Sequence, residues 1–111
     1  MNDELYLLLE KTINKLKNNE LEEAYQYIIE AIVSDPNAAE PHNLLGIWYE
    51  FKGNKDLARK HYRVAYVLNP TYKASSENLE RVSTVFLYKS IPINYGDERD
   101  EDTNMNKDTK K

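Results

Sequence analysis

The chain has 111 residues, of which 41% are hydrophobic and 31% are charged, and this length favours a single domain. It contains no cysteine, which excludes disulfides, thiolate metal sites and cysteine nucleophiles. The net charge of −4 lacks the basic excess of nucleic-acid binders, and no apolar run approaches the roughly 20 residues of a membrane span, so we expect neither kind of partner.

Four clusters of turn-forming residues divide the first two thirds of the chain into segments of helix length. The clusters are residues 18–19, 34–37, 53–54 and 69–71. In the first two segments apolar residues recur every three or four positions, which predicts two amphipathic helices. Their apolar stripes are Leu5, Leu8, Leu9, Ile13 and Leu16, followed by Leu21, Ala24, Tyr25, Ile28, Ala31 and Ile32.

The later segments differ from one another in how their polar residues are placed. Residues 38–52 are apolar on most sides, so we expect this third helix at the centre of the fold. The fourth helix is predicted over 55–68, and a fifth over 72–89. These helices define a domain of residues 1–90.

Residues 91–111 are mostly acidic or polar and bury too little surface to offset chain entropy, so we predict a disordered tail.

Small and helix-ending residues recur with a spacing of 34. Pro36 and Pro70 are separated by this distance, and so are Ala24 and Ala58. Ala31 and Ala65 follow the same spacing. Stacked helices approach closely at small residues and stop at proline, so the spacing predicts two helix pairs, over 5–38 and 39–72.

The second pair resembles the tetratricopeptide repeat. The residues that carry the resemblance are Leu45-Gly46 and Tyr49 on the first helix, then Ala58, Tyr62, Ala65 and Pro70. The first pair keeps only part of this pattern, as terminal repeats often do. The resemblance implies an all-α, right-handed helical stack of two helix-turn-helix repeats, over 5–38 and 39–72, closed by a solvating helix over 72–89.

In this family the first helix of each pair lines a concave groove, and helical phase then gives the groove residues. They are Tyr6, Leu9, Ile13, Lys17, Asn43, Ile47, Glu50, Phe51, Glu77, Arg81, Thr84 and Val85. Two interpretations are open. The apolar members pack together as core, or they receive an apolar or amphipathic segment, with Lys17, Glu50 and Arg81 as a polar rim.

Other candidate chemistry is sparse. His42 and His61 are either metal ligands, with Glu40 or Glu50 nearby, or structural residues, and we favour the structural role. No HExxH, phosphate-binding or GxSxG motif is present, so we expect no enzyme activity, metal or cofactor.

The second helix is acidic and the fourth basic, which predicts ion pairs either within the molecule or between molecules.

The sequence therefore predicts a non-enzymatic module that binds a protein or peptide segment. Two alternatives stay open, namely a self-associating scaffold and an accessory subunit of an enzyme complex. The N-terminus is acidic with a short apolar stretch, unlike a secretory signal, so we expect a cytoplasmic location.

Overall fold

The computed structural model describes residues 2–84 and 91–97, and in these ranges it contains five α-helices and no strand. The helices are α1 (Asp3–Lys17), α2 (Leu21–Ser34), α3 (Glu40–Phe51), α4 (Lys55–Leu68) and α5 (Lys73–Ser83). The all-α prediction is confirmed. The predicted fifth helix was too long, because α5 ends at Ser83 and Thr84 has extended backbone angles. Residues 85–90 lie outside the described ranges.

The helix ends follow from local side-chain chemistry. The side chains of Asn2 and Asn54 accept hydrogen bonds from backbone amides in the first turns of α1 and α4, as N-cap residues do. Pro41 lies in the first turn of α3, where its missing N–H costs nothing. Asn19 and Gly53 adopt positive φ angles of 60° and 80°, which turn the chain after α1 and α3.

Helix α3 lies at the centre of the fold. Each helix packs on the next, and α3 also contacts α1 and α5, so it touches all four other helices. The prediction of a central third helix is confirmed. The largest apolar side chains that are at most 1% exposed are Leu5, Leu16, Ile28, Leu44, Ile47 and Tyr62.

Close helix approach depends on small residues. Ala24, Ala31, Ala58 and Ala65 are all fully buried. A Cβ atom on Gly46 would overlap ring carbons of Tyr62, with Cζ 2.9 Å away. The α3 backbone therefore rests directly against an aromatic ring of α4, and glycine is needed there for space.

The predicted ion pairs between α2 and α4 are absent from the part of the chain that the structure describes. The two helices do not touch, and the ion pairs nearest to them are local: Arg59 with Asp56 at 3.0 Å within α4, and Lys15 with Glu20 at 2.9 Å at the turn between α1 and α2. The acidic side chains of α2 and the basic side chains of α4 therefore do not pair within the described residues. Contact between molecules through these helices stays a prediction.

The Gly46 contact can be tested by adding one methyl group. Gly46→Ala gains about 1 kcal/mol in helix propensity, but overpacking costs about 1–3 kcal/mol, and the buried Tyr62 ring cannot move aside easily. We expect a net loss of about 1–2 kcal/mol in the free energy of urea unfolding. In a Tyr62→Leu background the same substitution should cost less, because the ring is gone. Equal costs in both backgrounds would contradict the contact.

Candidate functional site

A segment without helix or strand crosses the surface formed by α1, α3 and α5, which we call the α1–α3–α5 face. This segment, residues 91–97, is named the strap. Ile93 and Tyr95 of the strap pack against the hydrophobic core. The prediction of a disordered tail from residue 91 onward therefore does not hold for the strap, while residues 98–111 lie outside the described ranges.

Two buried asparagines hold the main chain of the strap. The amide of Asn78 donates to the carbonyl oxygen of Asn94 at 2.8 Å, and its oxygen accepts from the Asn94 N–H at 2.9 Å. Asn43 donates to the same carbonyl at 3.1 Å, and Asn78 also donates to the Asn43 oxygen at 2.8 Å. Asn43 and Asn78 are both fully buried. Both main-chain polar groups of Asn94 are thus paired with side-chain amides.

A charged pair flanks these amides. The Arg81 guanidinium donates to the Asn78 oxygen at 2.9 Å and to the carbonyl of Pro92 at 3.0 Å. It also pairs with the Glu50 carboxylate, and these two side chains are only 14% and 13% exposed. Glu50 accepts a further hydrogen bond from the Tyr62 hydroxyl at 2.6 Å. The face is therefore tied to the core through Glu50.

The amide side chain of Asn94 has a partner of its own. Its nitrogen donates to the Glu77 carboxylate at 2.9 Å. Lys73 lies 3.7 Å from the other oxygen of Glu77, one turn earlier on α5. The strap thus presents one polar side chain to α5 in addition to its main chain.

The far end of the strap is held by particular side chains. The Lys17 ammonium lies 2.7 Å from the Asp97 carboxylate and 5.0 Å from the centre of the Tyr95 ring. Gly96 has a φ angle of +81°, and a Cβ atom there would overlap the Tyr72 hydroxyl. An aromatic residue, a glycine and an acid in succession therefore fit this end of the face.

A cavity of about 250 Å³ opens beside Gly96 and Asp97. Its remaining lining combines apolar, tyrosine and carboxylate side chains, namely Leu9, Ile13, Leu44, Tyr6, Tyr72, Tyr95, Glu10 and Glu40. Burial, followed by the nearby carboxylates of Glu40 and Asp97, raises the pKa of Tyr72, so its hydroxyl stays protonated. The strap borders this space and leaves it open.

Four of the predicted groove residues contact the strap directly, and others line the cavity. The direct contacts come from Lys17, Asn43, Glu77 and Arg81. Glu50 acts through Arg81, and Tyr6, Leu9 and Ile13 line the cavity.

The other predicted groove residues lie elsewhere. Ile47 is fully buried in the core and so is not available to a ligand, and Phe51 is half-buried against the same core. Thr84 follows α5, and its exposed hydroxyl donates to the Glu80 carbonyl of that helix. Val85 lies outside the described ranges. For Ile47 and Phe51 the alternative of core packing is therefore the correct one.

Sequence reasoning missed Asn78, Tyr72 and the strap. Asn78 lies 35 residues after Asn43, nearly the repeat spacing, and such a matched pair of amides was a usable signal. The strap also carried a signal, because apolar Ile91, Ile93 and Tyr95 alternate with other residues.

The two histidines form a pair between α3 and α4. Their Nδ1 atoms are 3.5 Å apart, and the Tyr49 ring stacks on His61 with centroids 5.4 Å apart. Burial lowers the pKa of His42, while burial and then the His42 charge lower that of His61. Across residues 2–84 and 91–97, no group of three or more potential ligand residues is placed to hold a metal ion. The geometry favours the structural role.

Asn78→Ala should release the strap. The substitution removes three hydrogen bonds to Asn43 and Asn94 and one from Arg81, leaving buried polar groups unpaired, at a cost of about 1–3 kcal/mol. We expect a lower urea midpoint and faster hydrogen exchange of the Asn94 amide. Glu80→Ala, an exposed change on the same helix, should alter neither. Unchanged exchange at Asn94 in Asn78→Ala would contradict the contact.

The histidine pair should make stability depend on pH. Both pKa values are lowered by folding from 6.5, so below that pH the unfolded chain binds more protons than the folded chain. The free energy of unfolding should therefore fall as the pH is lowered from about 7.5 to about 5. In His42→Phe this loss should be smaller, as measured by urea denaturation at both pH values. An equal loss in the two proteins would argue against the pair.

Comparisons with known proteins give no match from which a function could be transferred to this chain. No family model, curated protein or solved structure matches the chain. In the ranges that are described, no helix combines the length and apolarity needed to cross a membrane. The interpretation of the α1–α3–α5 face therefore depends on its own hydrogen bonds, charges and cavity.

Proposed function

We propose that this chain is a non-enzymatic interaction module that binds a segment of a partner protein on the α1–α3–α5 face. The observation that carries the proposal is the strap, a non-helical segment already held there by its main chain. Asn43 and Asn78 pair with the N–H and C=O of Asn94, groups that almost every residue of a polypeptide offers. A face built in this way is suited to receive another segment.

The resemblance to the tetratricopeptide repeat supports the same function. We infer a right-handed stack of two helix pairs in which α1, α3 and α5 line the concave side. The contacts of α3 with both α1 and α5 agree with this arrangement. Helix α5 takes the place of the solvating helix, and the module acts in the cytoplasm.

The apolar part of a ligand would bind where the strap does now. Ile93 and Tyr95 supply that part within the chain, and the cavity next to Tyr95 has an apolar floor of Leu9, Ile13 and Leu44. The polar rim consists of Lys17, Glu77 and Arg81. This division into apolar centre and polar rim is typical of protein interfaces. An accessory subunit of an enzyme complex would use the same face in the same way.

The function can be tested with surface variants once a partner has been captured. Tyr6→Ala changes an exposed residue of the face that lines the cavity, while Val67→Ser changes the exposed side of α4. We expect Tyr6→Ala to weaken partner binding about tenfold or more, and Val67→Ser to leave it unchanged. Dissociation constants of the variants for the partner are measured by calorimetry, and circular dichroism checks that each variant is folded.

The opposite pattern would reject the proposal. If Val67→Ser loses the partner while Tyr6→Ala keeps it, the partner uses the surface of α4 instead.

A further inference from the structure

We propose that the strap is a tethered competitor for the partner, and that the partner supplies a segment of the same chemistry. That segment carries an aromatic residue, a glycine and an acidic residue in succession, after a residue whose main chain pairs with Asn43 and Asn78. This inference rests on the proposed function and specifies its ligand. The occupant to which we commit is a different protein and not a second copy of this chain.

The strap contacts divide into two kinds. The bonds from Asn43 and Asn78 reach main-chain atoms of Asn94 and carry no sequence information. The contacts at residues 95–97 depend on side-chain identity. Lys17 selects a carboxylate and an aromatic ring, and Tyr72 leaves no room for a side chain at Gly96. The first kind supplies general affinity, and the second fixes which sequences fit and in which register.

The contacts also fix a direction along the face. Arg81 on α5 binds the carbonyl of Pro92, near the start of the strap. Lys17 at the end of α1 binds Asp97, at its end. A ligand with the same contacts therefore runs from α5 across α3 to α1.

Tethering sets the strength of the competition. A short linker gives a bound segment an effective concentration of about 1 mM. If the free segment binds with a Kd of about 0.1 mM, the strap occupies the face about ten times as often as it leaves it, and an outside ligand appears about tenfold weaker. Releasing the strap would therefore raise the apparent affinity of an outside ligand about tenfold.

The same arithmetic argues against a second copy as the occupant. Another copy brings the same seven residues, makes the same contacts and leaves the same cavity open, so below about 1 mM it cannot displace the tethered strap. A different protein can add a side chain that enters the cavity beside Gly96, between the apolar floor and the carboxylates of Glu10 and Glu40. That extra contact lets the partner exceed the affinity of the strap.

The test uses the full chain with the strap displaced by a single methyl group. Gly96→Ala places a Cβ against the Tyr72 hydroxyl at a positive φ angle and leaves every other residue of the face unchanged. The probe is a fluorescein-labelled, terminally blocked peptide, Ile-Pro-Ile-Asn-Tyr-Gly-Asp, followed by fluorescence anisotropy. We expect it to bind Gly96→Ala about tenfold more tightly than the wild type.

Two controls match the variant. Gly53→Ala also introduces a side chain at a positive φ angle, of +80°, but no atom lies within 4 Å of its Cβ, so this chain should bind the peptide like the wild type. A peptide with alanine in place of its glycine should not bind Gly96→Ala. Asp97→Lys, which sets an ammonium against Lys17, is a second way to open the face and should match Gly96→Ala.

Three results would overturn the inference. Equal affinity of the peptide for the wild type and both opened variants means that the strap does not compete. Failure of the peptide to bind any chain means that the face does not recognise this chemistry, while the proposed function is still decided by Tyr6→Ala against Val67→Ser. A wild type that sediments as a dimer at micromolar concentration, with Gly96→Ala monomeric, means that straps are exchanged between copies.

Discussion

The pairing of the Asn78 side chain with the main chain of Asn94 is the interaction on which the α1–α3–α5 face depends. A fully buried amide needs partners for its oxygen and its nitrogen, and α5 alone provides none of the right kind apart from Arg81. Asn43 and the strap complete the set. One side chain thus connects α5, α3 and the strap, and it makes the strap part of the folded structure.

A second connection runs from the face into the core. Arg81 binds the strap and Glu50, Glu50 accepts from the Tyr62 hydroxyl, and the Tyr62 ring fills the space that Gly46 leaves open. The position of the Arg81 guanidinium is thereby fixed by the packing of α3 against α4. Such rigid support is what holds a binding surface in one geometry.

The helices could be predicted from the sequence because their signals are local. Asn54 and Gly53 mark a boundary whatever lies elsewhere in the chain, and a spacing of 34 between alanines requires only the sequence. Ile47 could not be separated from true groove residues, since a small rotation of α3 decides between core and surface. The burial of Asn78 has no local signal, because Asn94 and Asn43, which accept hydrogen bonds from its amide, are 16 and 35 residues away. The alternating apolar residues of the strap are few and are followed by a long charged and polar segment. The composition of residues 91–111 as a whole therefore predicted disorder.

Because the strap belongs to the same polypeptide as the face, a ligand that displaces the strap raises the melting temperature less than a ligand of an empty site does. A ligand for an empty site raises the melting temperature, since it adds contacts that the unfolded chain lacks. A ligand that takes the place of the strap removes the bonds of Asn94, Asp97 and Tyr95 as it forms its own. The melting temperature therefore rises only by the difference in free energy between the two sets of contacts. A tenfold loss of apparent affinity corresponds to about 1.4 kcal/mol of this stabilisation at saturating ligand. A thermal shift at this face therefore reports the affinity that remains after the strap is displaced, and not the full affinity of the ligand for the open face.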